Sequence, residues 1–159
     1  MVALRPDEAS RLRAELASEL GELGRVHAEI TQRRDARDDT ATYALALLLM
    51  NYYTGVERIF RRIAAHLGGL PPTSDRWHAQ LLEDMALDLS GVRPAVLARD
   101  TVERLARLMR LRHVLRNLYA WAVHRDELDI HVASLDATHA AVVADLELFA
   151  EFLATLAQG

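Results

Sequence analysis

The 159-residue chain contains no cysteine, which excludes disulfides, thiolate metal sites and cysteine nucleophiles. It contains no lysine, so all 19 basic residues are arginines, set against 23 acidic residues for a formal net charge of −4. That balance gives no overall argument for nucleic-acid binding. A GC-rich genome is a sufficient cause of the arginine bias, but arginine is also the side chain suited to bidentate phosphate contact. Where the arginines cluster therefore matters more than their number. Long hydrophobic runs are also missing. The longest, Tyr43 to Met50, is far too short to cross a bilayer. Met1 to Pro6 lacks the apolar run of a signal peptide, so a cytoplasmic protein without membrane contact is expected.

Several chemistries are excluded by missing motifs. There is no Gly-rich phosphate loop, no His-Glu-x-x-His zinc helix, no Glu-x-x-His pair repeated on two helices and no serine nucleophile elbow. The seven histidines (27, 66, 78, 113, 124, 131 and 139) are scattered, and no two stand four apart on a helix. No metal and no cofactor is expected.

What remains is helical. No segment alternates with period two, and apolar residues recur at helical spacing throughout. A first helix is expected over Pro6 to Arg34, with a thin apolar stripe through Leu12, Leu16, Leu20, Leu23, Val26 and Ile30. A second is expected over Asp39 to Leu67, capped by Asp38, Asp39 or Thr40. Its first half, Thr42 to Tyr53, is apolar nearly all round and reads as the central buried helix. Gly68 and Gly69 end it, and Pro71 and Pro72 prevent its continuation. A short third helix runs from about Asp75 to Leu89. A fourth opens on the capping-box pattern Asp100 to Glu103 and continues to about His124. A fifth runs from about Ile130 to Leu156, with Leu135, Val142, Leu146, Phe149 and Leu153 on its apolar face. Residues 1–159 thus read as one all-α domain, an up-and-down bundle of four long helices and one short one. Trp77 and Trp121 are expected in the core, and Tyr52 and Tyr53 in the core or at its boundary.

One segment of the fourth helix concentrates polar groups, Met109 to Trp121 (MRLRHVLRNLYAW). On a continuous helix Leu108, Leu111, Leu115, Leu118 and Ala122 share one face, and Arg112, Arg116 and Tyr119 border it at i, i+4 and i+7. His113 and Asn117 lie beyond. A snorkelling arginine row with a boundary tyrosine explains this pattern without function. The functional reading is an anion site in which arginines bind and polarise a phosphodiester and a histidine moves protons. That combination suits RNA cleavage through the 2′-hydroxyl, which needs no metal. Glu57, Arg58, Arg61 and Arg62 at the end of the second helix read as a solvated charged end, with the three arginines as an alternative extension of the RNA surface. His78, next to Trp77, reads as structural, with a functional role as the alternative.

The same segment resembles the HepT-like ribonuclease toxins of the HEPN superfamily, whose mark is Arg, four residues, His, one residue, Tyr. Arg112, then His113 to Arg116, then Asn117, Leu118 and Tyr119 follow that frame. Three further blocks match in order: Asn51 to Phe60 (NYYTGVERIF), Arg76 to His78 with Leu81, Leu82 and Met85, and Arg93 to Leu97 (RPAVL). The resemblance spans roughly residues 40 to 125. It implies a small helical toxin that cuts RNA without metal and dimerises so that the Arg/His motifs of two chains form one site. It further implies a nucleotidyltransferase antitoxin as partner, which in part of the family adenylylates the motif tyrosine, here Tyr119. In that frame Arg112 binds the phosphate and Arg116 supports it.

One position departs from the family. Asn117 stands where the motif histidine belongs, and Asn cannot give or take a proton near neutral pH. Either the chain is an inactive module that binds RNA or the antitoxin, or His113 or a group from a second subunit supplies the acid–base function, or the site was altered deliberately. A helical scaffold whose arginine row is a dimer seam is a further alternative. On an ideal helix Arg112 and residue 117 point about 140° apart, so convergence needs a helix distortion or a second subunit.

Overall fold

The computed structural model describes residues 4–68 and 73–159. Helix α1 spans Pro6–Arg33, α2 Asp39–His66, α3 Trp77–Asp84, α4 Arg99–Leu115 and α5 Arg125–Gln158, with a 3-10 turn at Ala120–Ala122. The architecture is all-α, a helical bundle as expected. Among the described residues the only β feature is one bridge, Leu89 to Arg93, closing a turn.

Helices α1 and α2 start for local reasons, α4 for a tertiary one. Before α1, the Arg5 backbone N–H donates to Glu8 Oε2 at 3.1 Å, and Pro6 occupies the first turn, where no N–H is needed. Asp38 caps α2 by accepting from the Ala41 N–H at 2.9 Å. The expected capping box at Asp100 and Glu103 is not formed. The chain enters α4 one residue earlier, Asp145 of α5 accepts the Ala98 N–H at 2.9 Å, and Asp100 instead binds Arg104 Nε at 2.7 Å.

Helix α2 is the central element. It contacts every other helix, and Tyr52, Tyr53, Val56, Ile59, Phe60 and Ile63 are fully buried along it. Tyr43 and Leu47 on its first half face outward, so that half is not buried all round. Helices α1 and α5 pack side by side along their length. The apolar stripes expected from periodicity are largely the buried ones, namely Leu12, Leu16, Leu23 and Ile30 of α1 and all five named residues of α5. Leu20 and Val26 of α1 are half-buried.

Three boundaries differ from expectation. Helix α3 is shorter, beginning at Trp77 rather than near Asp75 and ending at Asp84. Helix α5 begins at Arg125, five residues early, because Arg125 is buried there. Its guanidinium donates to the carbonyls of Ala36 and Arg34 (2.6 Å to the latter), and to Asp129 Oδ1 at 3.0 Å. Helix α4 stops at Leu115, nine residues before the expected end. Arg116 makes the last i→i−4 bond, at 3.0 Å to Arg112. Asn117 and Leu118 then switch to i→i−3 bonds at 3.1 and 3.2 Å. The Asn117 side chain also donates to the His113 carbonyl at 2.8 Å, satisfying a carbonyl the ended helix leaves open. The expected stripe keeps Arg112 and Arg116, which stay one helical turn apart and line one pocket, but does not continue to Tyr119 beyond the helix end. Leu118 and Trp121, expected on the apolar side, are exposed.

Beyond α2, Gly68 has φ +146°, a backbone conformation that favours glycine, and Arg93 ties the exit together. Arg93 is buried and donates to the carbonyls of Leu67, Leu87 and Asp84 at 2.9–3.0 Å, which anchors the α3 region against α2. Burial pushes its guanidinium pKa below the ordinary value. The expected stop at Gly69, Pro71 and Pro72 lies outside the described residues. Among the described residues no helix is long and apolar enough to cross a membrane.

Candidate active site

Three elements converge at the last turn of α4. From α4 comes Arg112, from α2 Glu57, and from the start of α3 His78. Arg112 is 6 % exposed and Glu57 6 % exposed, so this is a buried ion pair. Arg112 Nη1 reaches Glu57 Oε1 at 3.3 Å and Nη2 reaches Oε2 at 3.2 Å, a two-point clamp, while Nη1 also donates to Thr54 Oγ1 at 3.3 Å. The guanidinium lies over the Tyr53 ring, 4.7 Å from its centroid. Burial, and then the neighbouring Glu57 charge, push the Tyr53 phenol pKa up, so it stays protonated.

His78 completes the cluster. Its Nδ1 is 2.5 Å from Glu57 Oε2 and 3.0 Å from Arg112 Nη2. The carboxylate contact is the shorter, and an N–H must lie in it, so Nδ1 carries the proton and donates to Glu57. Arg112 Nη2 is then a neighbour of that nitrogen and not its donor. The imidazole stacks on Trp77 with centroids 3.6 Å apart and is only half-buried.

Arg112 and His78 form part of the wall of an open pocket of about 400 Å³, which His113, Arg76, Arg110 and Arg116 also line. Arg76, Arg110 and Arg116 are exposed and form no ion pair among the described residues. Asp75 is the one acidic residue on the wall. The Glu57 carboxylate compensates Arg112 behind that wall, so the pocket's positive field comes mainly from the exposed arginines. A larger groove of about 550 Å³ between α1 and α5 is lined mostly by alanine and leucine and gathers no comparable chemistry.

The structure thus brings Arg112, His113 and Arg116 to one pocket. Asn117 is exposed in the turn after α4 and caps His113. Tyr119 is 72 % exposed and stacks flat on Trp121, which is 73 % exposed and not in the core. Arg58 and Arg62 are drawn away from the pocket by α1. Arg58 meets Glu19 at 3.4 Å, and Arg62 meets Glu15 at 3.7 Å and Glu19 at 3.6 Å. Arg61 lies over Trp77, 5.4 Å from the ring centroid. One expectation is corrected. Glu57 is not part of a solvated end, because α4 delivers a guanidinium onto it. His78 joins that ion pair and also lines the pocket.

A second polar cluster joins α1, α2 and α5. Tyr52 Oη is 2.8 Å from His139 Nδ1, His139 stacks on His27 at 4.6 Å, and His27 Nε2 is 2.6 Å from Asp136 Oδ1. Burial, and next the His27 charge, push the His139 pKa down. Its histidines do not line the Arg112 pocket. Among the described residues no group of three or more His, Asp or Glu side chains is arranged to hold a metal ion.

Comparison with known families gives a match. The family described as HepT-like protein matches residues 44–153, more than two thirds of the chain. No curated protein and no solved structure matches.

Proposed function

The chain belongs to the HepT-like family, and from that premise we propose that it is the toxin component of a HepT/nucleotidyltransferase toxin–antitoxin pair, a metal-independent endoribonuclease of the cytoplasm. The observation that carries the reading is the pocket itself. The family's motif arginine, Arg112, lies in the wall of a cationic pocket together with two histidines. Exposed Arg76, Arg110 and Arg116 attract the RNA backbone, and Arg112 polarises the scissile phosphate. His113 faces the same pocket as a proton donor to the leaving oxygen.

The partner reading follows from the surface beside the pocket. Val114, Leu118, Tyr119, Trp121 and Ile130 are all exposed apolar side chains around the α4–α5 corner. Such a surface suits a second copy of the chain, which would bring two motifs together in a composite site. Tyr119 is open enough for an antitoxin nucleotidyltransferase to modify. AMP attached there adds a bulky anion three residues from Arg116 and competes for the arginines.

One observation favours a second reading, a non-catalytic module that binds RNA or the antitoxin. Asn117 replaces the motif histidine and is used as a cap. Cleavage of RNA in EDTA separates the two. The ribonuclease reading expects the parent chain to cut and Arg112→Ala to lose at least about 10²–10³-fold in kcat/KM, the loss of a charge-stabilising donor together with the stranding of the buried Glu57 carboxylate. RNA bound but uncut by the parent chain at every ratio of protein to RNA supports the binding module.

A further inference from the structure

We propose that His78 is the residue that takes the proton from the 2′-hydroxyl, with Glu57 as its positioning residue. The proposal rests on the ribonuclease reading and supplies the base that Asn117 cannot be. Four observations carry it. Glu57 accepts from Nδ1 at 2.5 Å, which fixes the tautomer and leaves the lone pair on Nε2. Arg112 clamps both oxygens of that carboxylate, so the imidazole is aimed by a rigid acceptor. Trp77 stacking at 3.6 Å sets the plane of the ring. The side chain is 29 % exposed and lines the cationic pocket, so it is reachable by substrate.

No other candidate in the pocket has this support. His113 lines the same wall, but its side chain is held by no hydrogen bond among the described residues. Asn117 has no proton to exchange near neutral pH. A buried Glu–Arg pair is already satisfied by its own two contacts, so a half-exposed imidazole with a free Nε2 is not required to complete it.

The step balances with the groups present. The O2′–H bond breaks and its proton goes to His78 Nε2. O2′ bonds to phosphorus, the P–O5′ bond breaks, and O5′ takes a proton from protonated His113. The products are a 2′,3′-cyclic phosphate and a 5′-hydroxyl, and both imidazoles reset by exchange with water. Glu57 stabilises the imidazolium formed on His78.

The test is RNA cleavage by the full chain in EDTA, from about pH 5 to 8, around the imidazole range. Parent, His78→Gln, His78→Gly and Asn117→His are compared. His78→Gln is expected to lower kcat by about 10²–10⁴-fold with KM little changed, and to remove the acid limb of the pH profile. His78→Gly is expected to regain activity when imidazole is added, which a merely structural role does not give. In the parent, the acid limb is expected to match the titration of the His78 ring followed by NMR, an arm that does not depend on any variant folding. If His78→Gln cuts within about threefold of the parent, or the two titrations disagree, the inference is overturned and the ribonuclease reading stands. If the parent is silent and Asn117→His cuts, the inference also falls, and the fold is a disabled nuclease. If neither cuts RNA, the ribonuclease reading fails and takes the inference with it.

Discussion

Glu57→Ala is expected to destabilise the protein by about 3–5 kcal/mol, the cost of stranding a buried charge. The reason is Arg112, which is 6 % exposed and finds its only carboxylate among the described residues in Glu57. Its guanidinium cannot shed its proton near neutral pH, so removing the partner leaves an uncompensated cation over the Tyr53 ring. For a chain of this length that loss lowers Tm by roughly 6–20 °C. The reverse experiment sharpens the point. Glu57→Leu combined with Arg112→Met removes both charges and is expected to recover most of the loss, because an apolar pair of similar volume costs little. Thermal melts and urea midpoints check both. A Glu57→Ala melt within about 2 °C of the parent would mean that water, not Glu57, solvates Arg112.

The second large effect is on assembly. Ile130→Asp is expected to convert a dimer into a monomer across the micromolar range. Ile130 is 71 % exposed and shares a shallow groove with Leu111 and Val114. The same groove holds Arg107, Arg110 and Glu127, so the substitution acts by taking the apolar Ile130 side chain out of the contact and desolvating a carboxylate in its place. A cost of about 2 kcal/mol or more, typical of a central interface residue, weakens the dimer at least roughly 30-fold. Sedimentation velocity at several concentrations reads this directly. Cleavage at fixed protein concentration is expected to fall in parallel, since the proposed composite site draws on both copies. An unchanged sedimentation coefficient for Ile130→Asp would place the contact between copies elsewhere, and a monomeric parent would remove it.

The helices were legible in the sequence because burial follows local period. Leu12, Leu16 and Leu23 of α1 and Val142, Leu146 and Phe149 of α5 repeat on one face and are buried there. Asp38 was one of the caps expected for α2. The end of α4 was not legible. No glycine or proline marks it, and the apolar spacing runs on through Leu118 and Ala122. The helix ends there because α5 must reverse and lie on α1, a tertiary demand expressed by Arg125 reaching the Ala36 and Arg34 carbonyls far away in sequence.

Of the candidate site, Arg112, His113 and Arg116 were legible from the motif frame. Glu57 and His78 were missed as partners, because their pairing joins α2, α3 and α4 across more than twenty residues. A usable signal existed. Glu57 stands four residues after Tyr53 and three before Phe60, so it shares their core-facing side of α2, and a carboxylate there demands a cation. The early end of α4 does not bring residue 117 to Arg112, since Asn117 lies in the turn beyond the helix, bonds back to the His113 carbonyl and does not line the pocket.

If the Arg112 pocket cuts RNA by way of the 2′-hydroxyl, end-group analysis of one oligonucleotide in EDTA, supplied as RNA and as its all-2′-deoxy counterpart, gives an unambiguous pattern. The RNA is expected to be cut to 2′,3′-cyclic phosphate and 5′-hydroxyl ends while the deoxy strand is bound and left whole. Cleavage of the deoxy strand, or RNA products ending in a 5′-phosphate, would contradict it.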